Sequence, residues 1–240
     1  MDYTKFTPRY DYYSDTTSYD VGLRNYMIAV YRYMGIALSV TGLVAYLIST
    51  SAGLLNFLFN SPFLWIVMFS PFILVMFMSS RFNSMSLQTA QTYFWLYAVL
   101  VGVSFSTIFA YYTIESITRV FFITSSLFAA MSLYGYTTKR DLTGVGAFLM
   151  MGLIGMILLS LVNMFLGSSM LYFVYSTIAL FIFIGLTAYD VQRIKQSYYH
   201  VSSSNTGELV SKIAVFGALS LYMDFINMFI YMLQFLGNRR

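Results

Sequence analysis

The chain has no cysteine, only three prolines and one histidine, and little charge: Asp, Glu, Lys and Arg make up 9% of its 240 residues. Without cysteine there is no disulfide, thiolate metal site or palmitoyl anchor, and the redox compartment goes unread. A soluble domain carries about 25% charged and about 45–50% apolar residues, whereas this chain is 9% charged and 59% hydrophobic. Its solvent is lipid. The net charge of +4 does not signal nucleic acid, because the Lys and Arg residues are scattered with no basic stripe among them. They read as topology determinants. No His-Glu-x-x-His, Gly-x-Ser-x-Gly or P-loop is present. The chain is expected to be no enzyme and to hold no cofactor.

What is abundant is aromatic and apolar. The 22 Tyr and 23 Phe residues suffice to pack a large helix bundle and to furnish interfacial belts. Residues 1–25 are polar, rich in Tyr and Asp, and lack the basic-then-apolar order of a cleavable signal; they are expected to form a mobile cytoplasmic tail. Residues 26–240 are expected to form a single transmembrane domain. A span needs roughly 20 apolar residues, and seven segments approach that: Tyr26–Ser49, Pro62–Met78, Thr92–Thr113, Thr118–Tyr134, Val145–Leu166, Met170–Tyr189 and Ala214–Phe235. Pro71 lies inside the second and should kink it.

Orientation follows the basic residues, since loops rich in them stay in the cytoplasm. Lys5, Arg9, Arg24, Arg32, Arg81, Lys139, Arg140, Arg193, Lys195 and Lys212 fall on one side, and Arg119, Arg239 and Arg240 on the other. Seven spans then put the N-terminus inside. The two terminal arginines vote the other way, and a last segment that re-entered without crossing would remove their objection.

Asp224 is the sole charge between Ile213 and Leu236, and a charge at mid-bilayer depth costs at least about 2.5–3.5 kcal/mol. Gly217, Ser220, Asp224, Asn227 and Tyr231 follow one another at spacings of three or four, so they share one helical face. Val215, Leu219, Phe225, Met228 and Ile230 occupy the others. A polar stripe of this kind turns toward other helices or a water cavity, because lipid cannot satisfy it. Asp190 closes the sixth apolar run, with Thr187 three residues before and Arg193 three after on the same face. Either local Arg and Lys residues hold it at the interface, or it meets Asp224. Arg81, just beyond the second span, is a further possible partner, against its plain reading as a solvated topology arginine. Gly102, Ser106, Ser125, Ala129 and Ser132 are small residues at helical spacing, suited to close helix packing.

The stretches SLYGYTTKRDL (132–142), GLTAYDVQRIK (185–195) and ALSLYMDFINMF (218–229), with the Gly-rich start of the fifth span, together resemble the Bax inhibitor-1 family, also called the transmembrane Bax-inhibitor-motif family. The resemblance runs from about Tyr26 to the C-terminus and suggests a bacterial-type member in the inner membrane. It implies an all-α fold of seven helices, two three-helix layers around a central C-terminal helix. It also implies a pH-sensitive calcium leak governed by two aspartates that share a proton, by motif Asp190 and Asp224, with Arg81 matching a latch arginine by position. Calcium would pass as a weakly held ion between the two carboxylates. The long stretch between the sixth and seventh spans and the lack of an extended charged tail depart from some relatives. Two carboxylates close together in a low dielectric cannot both ionise cheaply, so one proton held between them is physically reasonable.

Two other functions compete. Intramembrane aspartyl proteases also pair aspartates on adjacent helices, and Tyr189-Asp190 mimics half of their signature. But Leu221, Tyr222 and Met223 stand where Gly-x-Gly should precede the second aspartate, and Pro8, Pro62 and Pro71 leave no Pro-Ala-Leu element. The stronger rival is a regulator that works by binding other integral membrane proteins, such as a membrane protease, a role that the resemblance also suggests.

Overall fold

The structure is a computed structural model that describes residues 10–59, 62–202 and 207–239. Among the described residues the chain is helical nearly throughout: α1 (Tyr10–Ser49), α2 (Ala52–Phe59), α3 (Phe63–Ser80), α4 (Leu87–Phe105), α5 (Ile108–Tyr111), α6 (Ile114–Thr137), α7 (Thr143–Leu166), α8 (Ser169–Ser202) and α9 (Gly207–Leu236). Six segments are long and apolar enough to cross a membrane, within α1, α4–α5, α6, α7, α8 and α9; α3 contributes the shorter apolar stretch Leu64–Ser80. The expected tail falls partly outside the described residues, at 1–9.

Helix ends follow local chemistry. Ser86 caps α4 by accepting from the Thr89 N–H at 3.3 Å, and Thr113 caps α6 by accepting from Ser116 at 3.3 Å. Ahead of α7, Asp141 Oδ1 accepts from both the hydroxyl (2.6 Å) and the N–H (2.9 Å) of Thr143, which hold its carboxyl below the usual carboxylate range. Gly167 ends α7 in the left-handed region at φ 61°, donating to Asn163 O.

Pro71 lies within an α3 that stays helical from Phe63 to Ser80. A proline there leaves the carbonyl four residues earlier without its donor. That carbonyl, Val67 O, accepts instead from Ser104 Oγ of α4 at 3.0 Å and from Ser70 Oγ at 3.4 Å. A neighbouring helix thus satisfies a group that lipid could not. Ser104→Ala should cost about 1 kcal/mol, read as a lower thermal midpoint in detergent.

The core gathers on α9, whose most apolar window is 67% buried, against 11% for α7. It packs on α1, α4, α6 and α8, while α7 packs on α8 and α3 on α4. Tyr222 of α9, fully buried, joins three helices: its hydroxyl lies 2.6 Å from Thr41 Oγ1 of α1, which donates to Ala98 O of α4 at 2.9 Å. Since Thr41 has one proton to give, Tyr222 is the donor in their bond. Where α6 crosses α8, Gly135 sits against the backbone of Ala188, so a Cβ would collide with the Ala188 carbonyl. Gly135→Ala should destabilise by about 1–3 kcal/mol through overpacking, checked by the loss of monodisperse protein after mild heating.

Helices α8 and α9 overrun the apolar segments read from the sequence. α8 continues past Asp190 to Ser202, and α9 begins at Gly207, ahead of Ala214. At about 1.5 Å per residue each is longer than the roughly 30 Å hydrocarbon core. Hydropathy registers the part in lipid, whereas the helix itself continues into water.

A charged cavity within the bundle

Antiparallel packing of α8 on α9 brings the predicted aspartates to one depth. Arg193 Nη2 reaches Ser220 Oγ at 3.2 Å, Thr187 Oγ1 reaches Met228 Sδ at 3.4 Å, and the Phe183 and Tyr231 rings stack at 6.0 Å. Between these rungs Asp190 and Asp224 line one cavity of about 660 Å³, together with Ser79 of α3, Ser160 of α7, Tyr175 and Arg193 of α8, and Ser220, Asn227 and Tyr231 of α9. Four of the five polar-face residues of α9 thus line this cavity, and the fifth, Gly217, packs on Ile194.

Each acid has a different environment. Asp190 Oδ1 is ion-paired with Arg193 Nη2 at 3.1 Å, one helical turn on, and its residue is 8% exposed. Asp224 is 5% exposed, and its Oδ2 is enclosed with no hydrogen-bond partner among the described residues. The local pair suggested by the i, i+3 spacing is therefore what Asp190 makes. Arg81 is exposed at the end of α3, its guanidinium 5.7 Å from the Phe77 ring centre, and does not line the cavity.

These observations overturn the expected calcium leak gated by a buried di-aspartate pair. The carboxylates share a cavity but are not bonded to each other: Asp190 is ion-paired with Arg193, and Asp224 Oδ2 has no hydrogen-bond partner among the described residues. Nor do the described residues hold any group of three or more acidic or histidine side chains able to hold a metal ion, where Ca²⁺ takes six to eight oxygen ligands.

Several residues that hold the site were not singled out by sequence reasoning. Gln192, 7% exposed, accepts from Leu142 N–H and donates to Arg140 O, both at 2.8 Å. Lys195 Nζ donates to Tyr136 O at 2.9 Å. The motifs around Gly135 and Asp190 are thus two halves of one α6–α8 contact. Lys212 likewise donates to Phe82 O at 3.1 Å and Met85 O at 3.2 Å beyond α3. Lys195 and Lys212, expected as topology charges, also neutralise orphan carbonyls.

Fold and cavity define a class: a multi-pass all-α membrane protein with an acid enclosed among its helices. The profile of the family described as "Inhibitor of apoptosis-promoting Bax1" matches residues 23–240, and the chain belongs to the Bax inhibitor-1 family. It is 46% identical over 240 residues to the uncharacterized protein RP147 of Rickettsia prowazekii, covering 100% of this chain and 99% of that one. It is 42% identical over 220 residues to the inner membrane protein YbhL of Escherichia coli K12, covering 91% and 94%. A protein of Caulobacter vibrioides is 39% identical over 232 residues, with 93% and 92% covered. The family consists of non-catalytic membrane proteins, and the chain is not an enzyme.

Proposed function

We propose that this protein is a regulatory membrane protein whose charged cavity receives a side chain from the membrane-embedded segment of another integral membrane protein. The carrying observation is Asp224, an enclosed acid whose Oδ2 has no hydrogen-bond partner among the described residues. An acid so placed is costly, and a partner from outside the chain would supply the missing bond. The cavity walls hold two carboxylates and one guanidinium, so acid is in excess and the complementary group is basic or a hydrogen-bond donor. A volume of about 660 Å³ suits one or two side chains. The partner's helix, about 10 Å across, would lie along the rim, where Phe72 of α3 and Met150 and Ile157 of α7 are exposed. Asp224 is the recognition group in this reading, Asp190 and Arg193 fix the wall beside it, and Arg81 marks the cytoplasmic end.

The same reading has seven crossings, with two layers of three helices around α9 and a cytoplasmic N-terminus. It is supported by the two ends of α9: Lys212 bonds the α3–α4 loop, whereas Asn238 and Arg239 meet Thr113 and Tyr112 ahead of α6. An α9 that passes from one loop layer to the other favours a crossing over re-entry. The name of the Escherichia coli relative supports a bacterial inner membrane.

A photoreactive residue in place of Met150, in native membranes, tests the reading. It should crosslink to a second membrane protein, and Asp224→Leu should reduce the yield about five-fold, the equivalent of one intramembrane polar contact of about 1 kcal/mol. Yields unchanged by Asp224→Leu would reject the reading.

A further inference from the structure

A second cleft lies on another side of the bundle, between α1 and α6. Both helices pack on α8 and α9, and the seam between them holds a cavity of about 680 Å³ lined by Arg24, Met27, Ile28, Tyr31, Phe128, Ala129, Ser132, Leu133 and Tyr136. Arg24 and Tyr136 mark one end of it, and Tyr31 and Ser132 lie deeper. Arg24 opens the span of α1 and makes no ion pair among the described residues. Tyr136 lies near the end of α6, with Lys195 Nζ 4.8 Å from its ring centre. Ser132 is only 6% exposed and lies beside the Tyr31 hydroxyl. Among the described residues no acidic side chain lines the cleft.

We infer that this seam binds an anionic phospholipid, its phosphate against Arg24, its glycerol past Met27 and Leu133, and its acyl chain along Phe128 and Ala129. The depths agree with that molecule. Arg24 stands at the start of the apolar span, where the phosphate lies, and Tyr31 is seven residues further in, about 10 Å, at ester depth. Hydroxyls there can donate to the lipid ester carbonyls, which no soluble anion possesses. Further along the same two helices a second cavity of about 180 Å³, lined by Leu38, Gly42, Ile117 and Phe121 among others, continues the apolar track. Ala129, whose small size suggested helix packing, instead opens the floor for a chain.

The test uses the full chain in mixed micelles, with phosphatidylglycerol or phosphatidylethanolamine retention read by native mass spectrometry. Phosphatidylglycerol should be retained preferentially. Arg24→Ala should weaken its retention about five-fold and leave phosphatidylethanolamine unaffected. Ala129→Trp, which fills the floor, should weaken both. Arg24 and Ala129 are exposed, so an unchanged thermal midpoint establishes that each variant is folded. Equal retention of the two lipids by the parent, or no effect of Arg24→Ala, overturns the inference. Displacement of bound lipid by glycerol phosphate alone would make this a soluble-anion site and overturn it too.

Discussion

Arg193→Ala should lower the stability of the purified protein by about 2–3 kcal/mol, a drop of roughly 5–10 °C in thermal midpoint. The guanidinium both pairs with Asp190 at 3.1 Å and bonds Ser220 at 3.2 Å, so its removal breaks the α8–α9 junction and strands an acid that is almost wholly enclosed. A fully buried pair broken on one side costs about 3–5 kcal/mol; the smaller figure reflects an Arg193 side chain that is 47% exposed. Arg193→Lys should recover part of the loss: both bonds run from the single nitrogen Nη2, which an ammonium can replace, but an ammonium is the more strongly hydrated group. Asp190→Asn in the Arg193→Ala background should be milder than Arg193→Ala alone. A midpoint unchanged in Arg193→Ala would mean that the pair contributes nothing to holding the two helices.

Asp224→Leu should do the opposite to stability while weakening function. A buried polar group with no partner contributes its desolvation cost and no bond, so replacing it with an apolar side chain of similar size should stabilise the isolated protein by about 1–3 kcal/mol. The same change should weaken recognition of a partner about five-fold. Higher stability with weakened activity is the mark of a residue kept for a ligand. A destabilised Asp224→Leu would instead show that the acid is bonded within its own chain.

Much of this site can be read from residue order. Asp224 stands out because lipid gives a lone charge nowhere to go, and the three-four spacing from Gly217 to Tyr231 gives its face. Arg193, one turn after Asp190, was visible as a local partner. The cavity was not visible, because it arises where α3 and α7 pack on different neighbours and leave a gap, a property of packing that no single segment carries. Thr41 and Tyr222 were equally hidden: in a chain with 22 tyrosines, nothing local marks the one that binds across helices. The family resemblance named the correct family; the expected proton-sharing pair failed because Asp190 bonds Arg193 and Asp224 Oδ2 has no partner among the described residues.

The most direct measurement is the binding of designed membrane-spanning polyleucine peptides to the protein in nanodiscs, followed by fluorescence transfer. One peptide carries a central Lys, a second a central Glu, and a third no polar residue. A charged cleft with acid in excess should bind the Lys peptide at least about five-fold more tightly than either of the others, and Asp224→Leu should erase the preference. Equal binding of all three peptides, or a Lys preference that survives Asp224→Leu, would contradict the claim that this cavity recognises a membrane-embedded partner.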